Sequence, residues 1–353
     1  MRILVATDAW RPQINGVVRS LESVARALRD FGVEIEFLTP QGFATVPLPT
    51  YNEIKLALAT RRAVTKRLEG AAIDHIHIAT EGPVGLATRR HCMRAKRIFT
   101  TSYHTRFPEY ISARTRIPEA FTYALLRRFH NASAGVMVST ASLANDLAKR
   151  GFERLMPWSR GVDHELFSPT KAAVLDFPRP VFLYAGRLAP EKNVEAFLKL
   201  DLPGSKVIAG DGPSRRALEE NYPKAHFLGA KAADALAVLY ASADVFVFPS
   251  RTDTFGIVLI EAMASGLPVA AYPVMGPLDV VGKSGAGVLK EDLRAACLAA
   301  LDVPREKARA HALTYTWANS ARQFLDNILF IKSADRRVLA AKPAFPLSAS
   351  GSP

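Results

Sequence analysis

The sequence predicts an α/β fold of two doubly wound domains in tandem, and three observations predict it. Short apolar runs of strand length recur along the chain, with apolar residues at helical spacing between them. Strand alternating with helix implies a parallel sheet covered on both faces. The alternation lapses once, across "ELFSPTKAAVLDFPRP" (165–180), which carries three prolines and little periodicity, and then restarts. At 353 residues the chain exceeds one ordinary core, so two domains of about 150 residues each are expected. The boundaries that follow are a first domain over 1–168, a linker over 169–180 and a second domain over 181–330. An extension over 331–353 ends in the Pro/Ser/Ala-rich "AKPAFPLSASGSP" and is expected to be partly disordered. In open sheets of this kind ligands bind outside the carboxyl ends of the strands, so the expected site is a cleft between the domains.

The elements justify themselves in order. "RILVAT" (2–7) is an apolar strand, and the loop "DAWRPQINGV" follows it. Val17, Val18, Leu21, Val24, Ala25 and Leu28 then recur at helical spacing, and Gly32 marks the helix stop. "FGVEIEFLT" (31–39) alternates apolar and polar residues as a strand does. Further strands read at "DHIHIAT" (74–80), "RIFTTSYHT" (97–105) and "GVMVST" (135–140). In the second half they read at "VFLYAG" (181–186), "KVIAG" (206–210), "AHFLGA" (225–230), "DVFVFPS" (244–250) and "PVAAYP" (268–273).

Composition excludes several classes. With 49% hydrophobic and 22% charged residues the chain is globular in composition rather than disordered. Cys92 and Cys297 match no metal or redox spacing and read as reduced structural thiols. The N-terminus lacks a signal-peptide apolar region, and no run approaches the roughly 18 apolar residues of a membrane span, so a cytoplasmic protein is expected. The net charge of +13 is concentrated, because Lys55 to Arg128 holds fifteen Lys/Arg against five Asp/Glu. Arg61, Arg62, Lys66 and Arg67, then Arg89 and Arg90, then Arg114 and Arg116 form its clusters. Solvated helix faces would explain them; so would a surface that meets anionic lipid or nucleic acid. "YISARTRIPEAFTYALLRRFH" (110–130) mixes aliphatic and aromatic residues with its arginines, which favours an anionic membrane surface over a nucleic-acid groove.

Four stretches at strand ends carry candidate chemistry. In "RPQINGVVR" (11–19), Gly16 opens a helix, where a bare backbone can approach a phosphate. Asn15-Gly16 is equally an ordinary turn, and no G-x-G-x-x-G fingerprint accompanies it. In "YAGRLAPEKNVEAFL" (184–198), Arg187 and Lys192 suit a diphosphate, although a solvated loop neutralised by Glu191 would look the same. "AGDGPSRRALEE" (209–220) is a glycine-rich helix start with Asp211 or Ser214 as cap. In "RTDTFGIVLIEAMASG" (251–266), Asp253 could serve only the helix dipole, but Glu261 stands among apolar residues and needs a specific partner. If residues 254–264 are helical, Glu261 lies roughly 10 Å along the axis from the helix mouth. One ligand could then bring a polyol to Asp253, a diphosphate to the amides of Phe255, Gly256 and Ile257 and to the two cations, and a ribose to Glu261. A nucleotide sugar has that order of groups.

"GRLAPEKN", "GDGP", "FLG", "ADVFVFPS" and "DTFGIVLIE" followed by "AMASGLPV" together resemble the family 4 retaining glycosyltransferases of the GT-B fold, over nearly the whole chain. The resemblance implies two Rossmann-like domains, the first binding acceptor and the second a nucleoside-diphosphate sugar. It implies that Arg187 and Lys192 grip the donor diphosphate and that Glu261 holds the ribose. Asp253, with Thr254, Phe255, Gly256 and Ile257 after it, would hold the sugar, and Gly16 would lie against phosphate or sugar. His104, which alone after a strand would read as structural, matches an active-site histidine beside the transferred sugar. His104, Arg187, Lys192 and Asp253 are thus the expected catalytic set, with no metal and no cofactor beyond the nucleotide-sugar substrate.

The chain departs from the family pattern at three places: Asp253 stands where glutamate is usual, Asn15-Gly16 replaces a glycine pair, and Arg19 replaces a common histidine. "PQINGVVRSL", "SRTDTFG" and "AAYPVMGPLDVV" resemble the branch that glycosylates lipids. The expected activity is transfer from UDP-glucose, UDP-glucuronate or UDP-galactose to a membrane lipid hydroxyl such as diacylglycerol, by a protein peripheral on the inner face of the plasma membrane. The alternative is a GDP-mannose-dependent α-mannosyltransferase acting on a glycolipid or polysaccharide. A nucleotide-sugar epimerase would need donor alone. A non-enzymatic binder of nucleotide or nucleic acid fits the basic surface but not Glu261.

Overall fold

A computed structural model describes residues 1–11, 16–48, 51–114 and 117–334. The chain divides into two compact units, 1–159 with the segment from 317 onward, and 160–316.

The first unit opens with β1 (Arg2–Ala6), α1 (Gly16–Leu28) and β2 (Glu34–Leu38), then β3 (Thr45–Leu48) and β4 (Tyr51–Ala57). It continues through α2 (Arg61–Leu68), β5 (His75–Ile78), α3 (Pro83–Arg94) and β6 (Phe99–Tyr103). After α4 (Phe107–Arg114) and α5 (Glu119–His130) come β7 (Gly135–Val138), α6 (Ala141–Lys149) and β8 (Leu155–Pro157). Six strands pair in parallel in the order β2-β1-β5-β6-β7-β8. The strands β5, β6 and β7 are buried along their whole length, as a sheet covered on both faces requires. The antiparallel hairpin β3–β4 stands apart from this sheet. It was not expected from the sequence, since residues 45–57 lie between the periodic segments.

The second unit repeats the design. Its elements are β9 (Val181–Ala185), α7 (Val194–Leu198), β10 (Ser205–Ala209), α8 (Arg215–Asn221), β11 (His226–Gly229) and α9 (Ala233–Ser242). They continue with β12 (Val245–Phe248), α10 (Ile257–Ala264), β13 (Val269–Ala271), α11 (Pro277–Val280), β14 (Gly287–Leu289), α12 (Leu293–Ala300) and α13 (Arg305–Ala312). The parallel order is β11-β10-β9-β12-β13-β14. Chain order therefore reverses between β9 and β12, and the crevice at that switch point is where an open sheet binds its ligand. Every strand expected from the sequence is present; besides the β3–β4 hairpin, the short β8 and β14 are additional.

The domain boundaries differ from the sequence expectation at both ends. The supposed linker packs onto the second unit: the Ala173 amide donates to Ser242 Oγ at 2.9 Å, and the Phe177 ring lies 4.6 Å from that of His226. Residues 317–333 form a long helix, α14 (Trp317–Ser333), that belongs to the first unit. Its Ala321, Phe324, Leu325 and Ile328, one helical face, bury against Leu21, Val24 and Leu28 of α1 and Trp158. Local patterning shows that α14 has an apolar face, but not which sheet that face covers. The residues of the extension beyond 334 lie outside those described.

Cys92 and Cys297 are buried free thiols, and burial pushes each up to about 12. Burial acts on His75 in the opposite sense: desolvation chiefly, then the positive charges of Lys332 and Arg97, depress it to about 3. Between that value and the ordinary 6.5 the unfolded chain binds a proton that the folded one refuses, so stability rises with pH there. The contribution is full above pH 6.5 and is lost as pH falls toward 3, reaching about 2 kcal/mol at pH 5. Urea melts at pH 7 and pH 5 should show this loss, and His75→Gln should flatten it. An unaltered pH slope in His75→Gln would remove His75 as its source.

Candidate functional site

The second unit gathers the donor-site candidates around its switch point. The loop after β9 carries Arg187 and Lys192, and the loop after β12 carries Asp253 to Gly256. Side chains tie the two loops together. Lys192 Nζ donates to Asp253 Oδ1 at 2.6 Å, with both side chains largely buried. Asn193, in the left-handed conformation at φ +53, donates through Nδ2 to the Pro249 carbonyl at 3.1 Å. Thr252 Oγ1 donates to the Glu191 carbonyl at 3.3 Å. The loop after β10 closes against the same place, the Leu188 amide donating to the Asp211 carbonyl at 2.8 Å. Gly210 permits this approach, since a Cβ there would stand 1.9 Å from the Gly186 carbonyl oxygen.

Two features of this frame suit a polar or anionic ligand. The second carboxylate oxygen of Asp253, Oδ2, is buried with no hydrogen-bond partner among the described residues, which is costly for a charged group. The helix α10 begins after Gly256, which is held at φ +80 and ψ 76 and as N-cap residue offers no side chain. Its first amides and the positive end of its dipole suit an anion. The expected helix over 254–264 is thus corrected: Thr254 and Phe255 precede it, and Phe255 is buried in the core. Glycine is needed at 256 because φ +80 is poorly open to other residues. From Ile257, Glu261 lies about 6 Å along the axis rather than about 10 Å.

Glu261 is 1% exposed, and the Tyr240 hydroxyl donates to its Oε2 at 3.5 Å. The specific partner that its apolar neighbours demanded is therefore in place, on α9. Arg187 is half-buried between Gly186 and Leu188. Sequence reasoning missed Asn193, Thr252 and Tyr240; an asparagine directly before a helix was the one available signal, because left-handed backbone favours it.

In the first unit, His104 follows β6, half-buried, with Nε2 2.9 Å from Ser102 Oγ and its ring edge-on to Trp158 at 5.6 Å. Gly16 is exposed and starts α1, its carbonyl accepting from Ser20 Oγ at 2.7 Å. Its neighbour Asn15 lies outside the described residues. Of the basic candidates, Arg62, Lys66, Arg67 and Arg90 are exposed and Arg61 is half-buried. Two have structural duties: Arg67 donates to the Gly42 carbonyl at 3.0 Å, and Arg89 donates to the Arg128 and Phe129 carbonyls at 2.9 and 3.0 Å. Arg89 is half-buried and caps the end of α5. The Arg114 side chain and Arg116 lie outside the described residues. Beyond the charges, Ile117 just before α5 and Phe121 and Leu125 one turn apart on it are 43%, 60% and 52% exposed, with the exposed Arg128 one turn further on.

Comparison with known proteins agrees with this frame. The family model "Glycosyltransferase Family 4" matches residues 14–166, and "Glycosyl transferases group 1" matches 179–303. The chain is 31% identical to the GDP-mannose-dependent alpha-mannosyltransferase of Mycobacterium tuberculosis, over 82% of this chain and 83% of that one. It is 25% identical to the alpha-monoglucosyldiacylglycerol synthase of Streptococcus pneumoniae, over 77% and 71%. Among solved structures, the sucrose-phosphate synthase of Thermosynechococcus elongatus superposes with a TM-score of 0.74 at 18% identity, covering 94% of this chain and all of that one. That likeness shows the fold, two Rossmann-like halves of the GT-B type. With both halves matched in order and a relative above 30% identity over most of either chain, the protein belongs to glycosyltransferase family 4 and is a hexosyltransferase.

Proposed function

We propose that this enzyme transfers a hexose from a nucleoside-diphosphate sugar to the hydroxyl of a membrane lipid, with retention of configuration and without a metal. The observation that carries the lipid half is the exposed Ile117, Phe121 and Leu125 stripe with Arg128 beside it. Apolar residues at helical spacing beside cations suit the interface of an anionic leaflet. Exposed Arg62, Lys66 and Arg90 add to the same charge. No helix among the described residues is long and apolar enough to cross a membrane, so attachment by a surface is the mode proposed.

The 31% identical mannosyltransferase supports GDP-mannose as donor, and the diacylglycerol synthase supports a diacylglycerol-type acceptor. UDP-glucose, UDP-glucuronate and UDP-galactose are the second reading, of which the synthase's name supports the glucosyl group alone. In the proposed reaction the bond from anomeric carbon to diphosphate breaks first. The acceptor oxygen bonds to that carbon from the same face, and its proton passes to the departing phosphate oxygen. Lys192 and Arg187 stabilise the charge developing on the diphosphate, and Asp253 Oδ2 accepts from a sugar hydroxyl. His104 is proposed to act beside the sugar in transfer, as the family resemblance implies.

The test offers purified protein each labelled nucleotide sugar with liposomes of anionic lipid and diacylglycerol, in EDTA. Label is expected in the lipid phase, from GDP-mannose foremost, with transfer falling several-fold at high salt as surface charge is screened. Label confined to soluble acceptor would overturn the lipid reading, and loss of transfer in EDTA the metal-free one.

A further inference from the structure

Behind His104 lies a buried chain of hydrogen bonds that the activity described above does not use. The strands β5 and β6 run parallel with His77 opposite Thr100. The alternation of a strand puts His75 and His77 of one, and Thr100, Ser102 and His104 of the other, on a single face of the sheet. Their side chains touch in sequence. His75 Nε2 meets Thr100 Oγ1 at 2.9 Å, and the same oxygen meets His77 Nδ1 at 2.9 Å. His77 Nε2 meets Ser102 Oγ at 3.1 Å, and Ser102 Oγ meets His104 Nε2 at 2.9 Å. Thr100, His77 and Ser102 are wholly buried. The His77 ring is wedged edge-on against Phe324 at 4.9 Å and Trp158 at 5.7 Å, so it has a fixed orientation.

Proton counting makes this chain directional. A hydroxyl has one proton to donate, and a neutral imidazole has one N–H and one acceptor nitrogen. If His77 donates from Nε2 to Ser102, the hydroxyl is released to donate to His104 Nε2, and the His104 proton must sit on Nδ1. If Ser102 donates to His77, it accepts from His104, whose proton must then sit on Nε2. The Ala79 carbonyl competes for the Ser102 proton only at 3.4 Å. Thr100 couples His77 to His75 by the same rule.

We infer that His77 is a positioning residue for sugar transfer: acting through Ser102, it sets which nitrogen of His104 carries the proton. Without Ser102 Oγ, His104 Nε2 loses the hydrogen bond that the chain gives it, and the proportion of the two tautomers shifts. The inference rests on the proposal that His104 meets the sugar in transfer, and the test keeps the two separable.

The experiment combines kinetics with ¹⁵N ring shifts of histidine-labelled protein, assigned by single histidine substitutions. In the unsubstituted enzyme His104 is expected to show one tautomer. Ser102→Ala should move its ring shifts toward the mixed values of free imidazole and lower kcat about tenfold, with donor KM within twofold. His77→Gln should move the His104 shifts as well, although it does not touch that ring. Unchanged His104 shifts in Ser102→Ala would overturn the inference. So would exchange between two tautomers in the unsubstituted enzyme, a result that needs no variant to fold. His104→Ala with undiminished kcat would instead overturn the role of His104, whatever the ring shifts show.

Discussion

Lys192→Ala is expected to lower kcat by a factor of about 10² to 10³ while costing about 1 kcal/mol of stability. The activity term follows from the charge that grows on a departing diphosphate, where removal of one preorganised donor typically raises a barrier by about 3–4 kcal/mol. The stability term follows from the ion pair. Lys192 Nζ stands 2.6 Å from Asp253 Oδ1, and the two side chains are 23% and 16% exposed. Breaking a fully buried pair costs about 3–5 kcal/mol and an exposed one under 1, so partial exposure places this one near the lower figure. The two effects separate in the double variant Lys192→Ala with Asp253→Ala. Removing both partners leaves no stranded charge, so stability should return while transfer stays lost. Denaturant midpoints and single-turnover rates on the three variants measure both quantities. Wild-type turnover in Lys192→Ala would end its assignment to the diphosphate. Stability lost equally in single and double variants would mean that the pair does not couple.

That pair shows where sequence reasoning reaches and where it stops. Lys192 and Asp253 were legible as candidate residues because each stands in a loop after an apolar strand, in a recognisable motif. That they meet each other, 61 residues apart, depends on β9 and β12 being neighbours at the switch point. Strand periodicity reveals that strands exist but not their order, and the order is what brings two loops together. The same limit explains α14. Its apolar face, Ala321, Phe324, Leu325 and Ile328, was not singled out in the sequence, and its partner helix lies near the other end of the chain. The start of α10 was misplaced for a different reason. Thr254 and Phe255 have no sequence feature that forbids helix, and only the left-handed turn at Gly256 delays it. Charge alone likewise does not distinguish a cation facing solvent from one that, like Arg89, donates to the last carbonyls of a helix. In each case the residue type was informative and the long-range partner was not.

Glu261→Gln is expected to weaken binding of the donor's nucleoside diphosphate about tenfold, and only when the ribose carries its hydroxyls. A hydrogen bond to a carboxylate contributes about 1.5–3 kcal/mol and one to a neutral group about 0.5–1.5, so neutralising Glu261 should remove on the order of 1.4 kcal/mol. Glutamine keeps the volume, so the apolar packing of α10 around Leu259, Ile260 and Met263 is preserved. The rival account makes Glu261 a core polar residue satisfied by Tyr240, whose hydroxyl lies 3.5 Å from Oε2. That contact is long for a strong hydrogen bond. Glu261 stands about one helical turn beyond the start of α10, where a ligand with two adjacent hydroxyls would compete for its carboxylate. Calorimetry with the nucleoside diphosphate and its 2′,3′-dideoxy analogue distinguishes the accounts. If Glu261 holds the ribose, the wild-type enzyme prefers the hydroxylated ligand and Glu261→Gln loses most of that preference. If Glu261 serves only the core, the substitution weakens both ligands alike, and its effect appears in the denaturant midpoint instead.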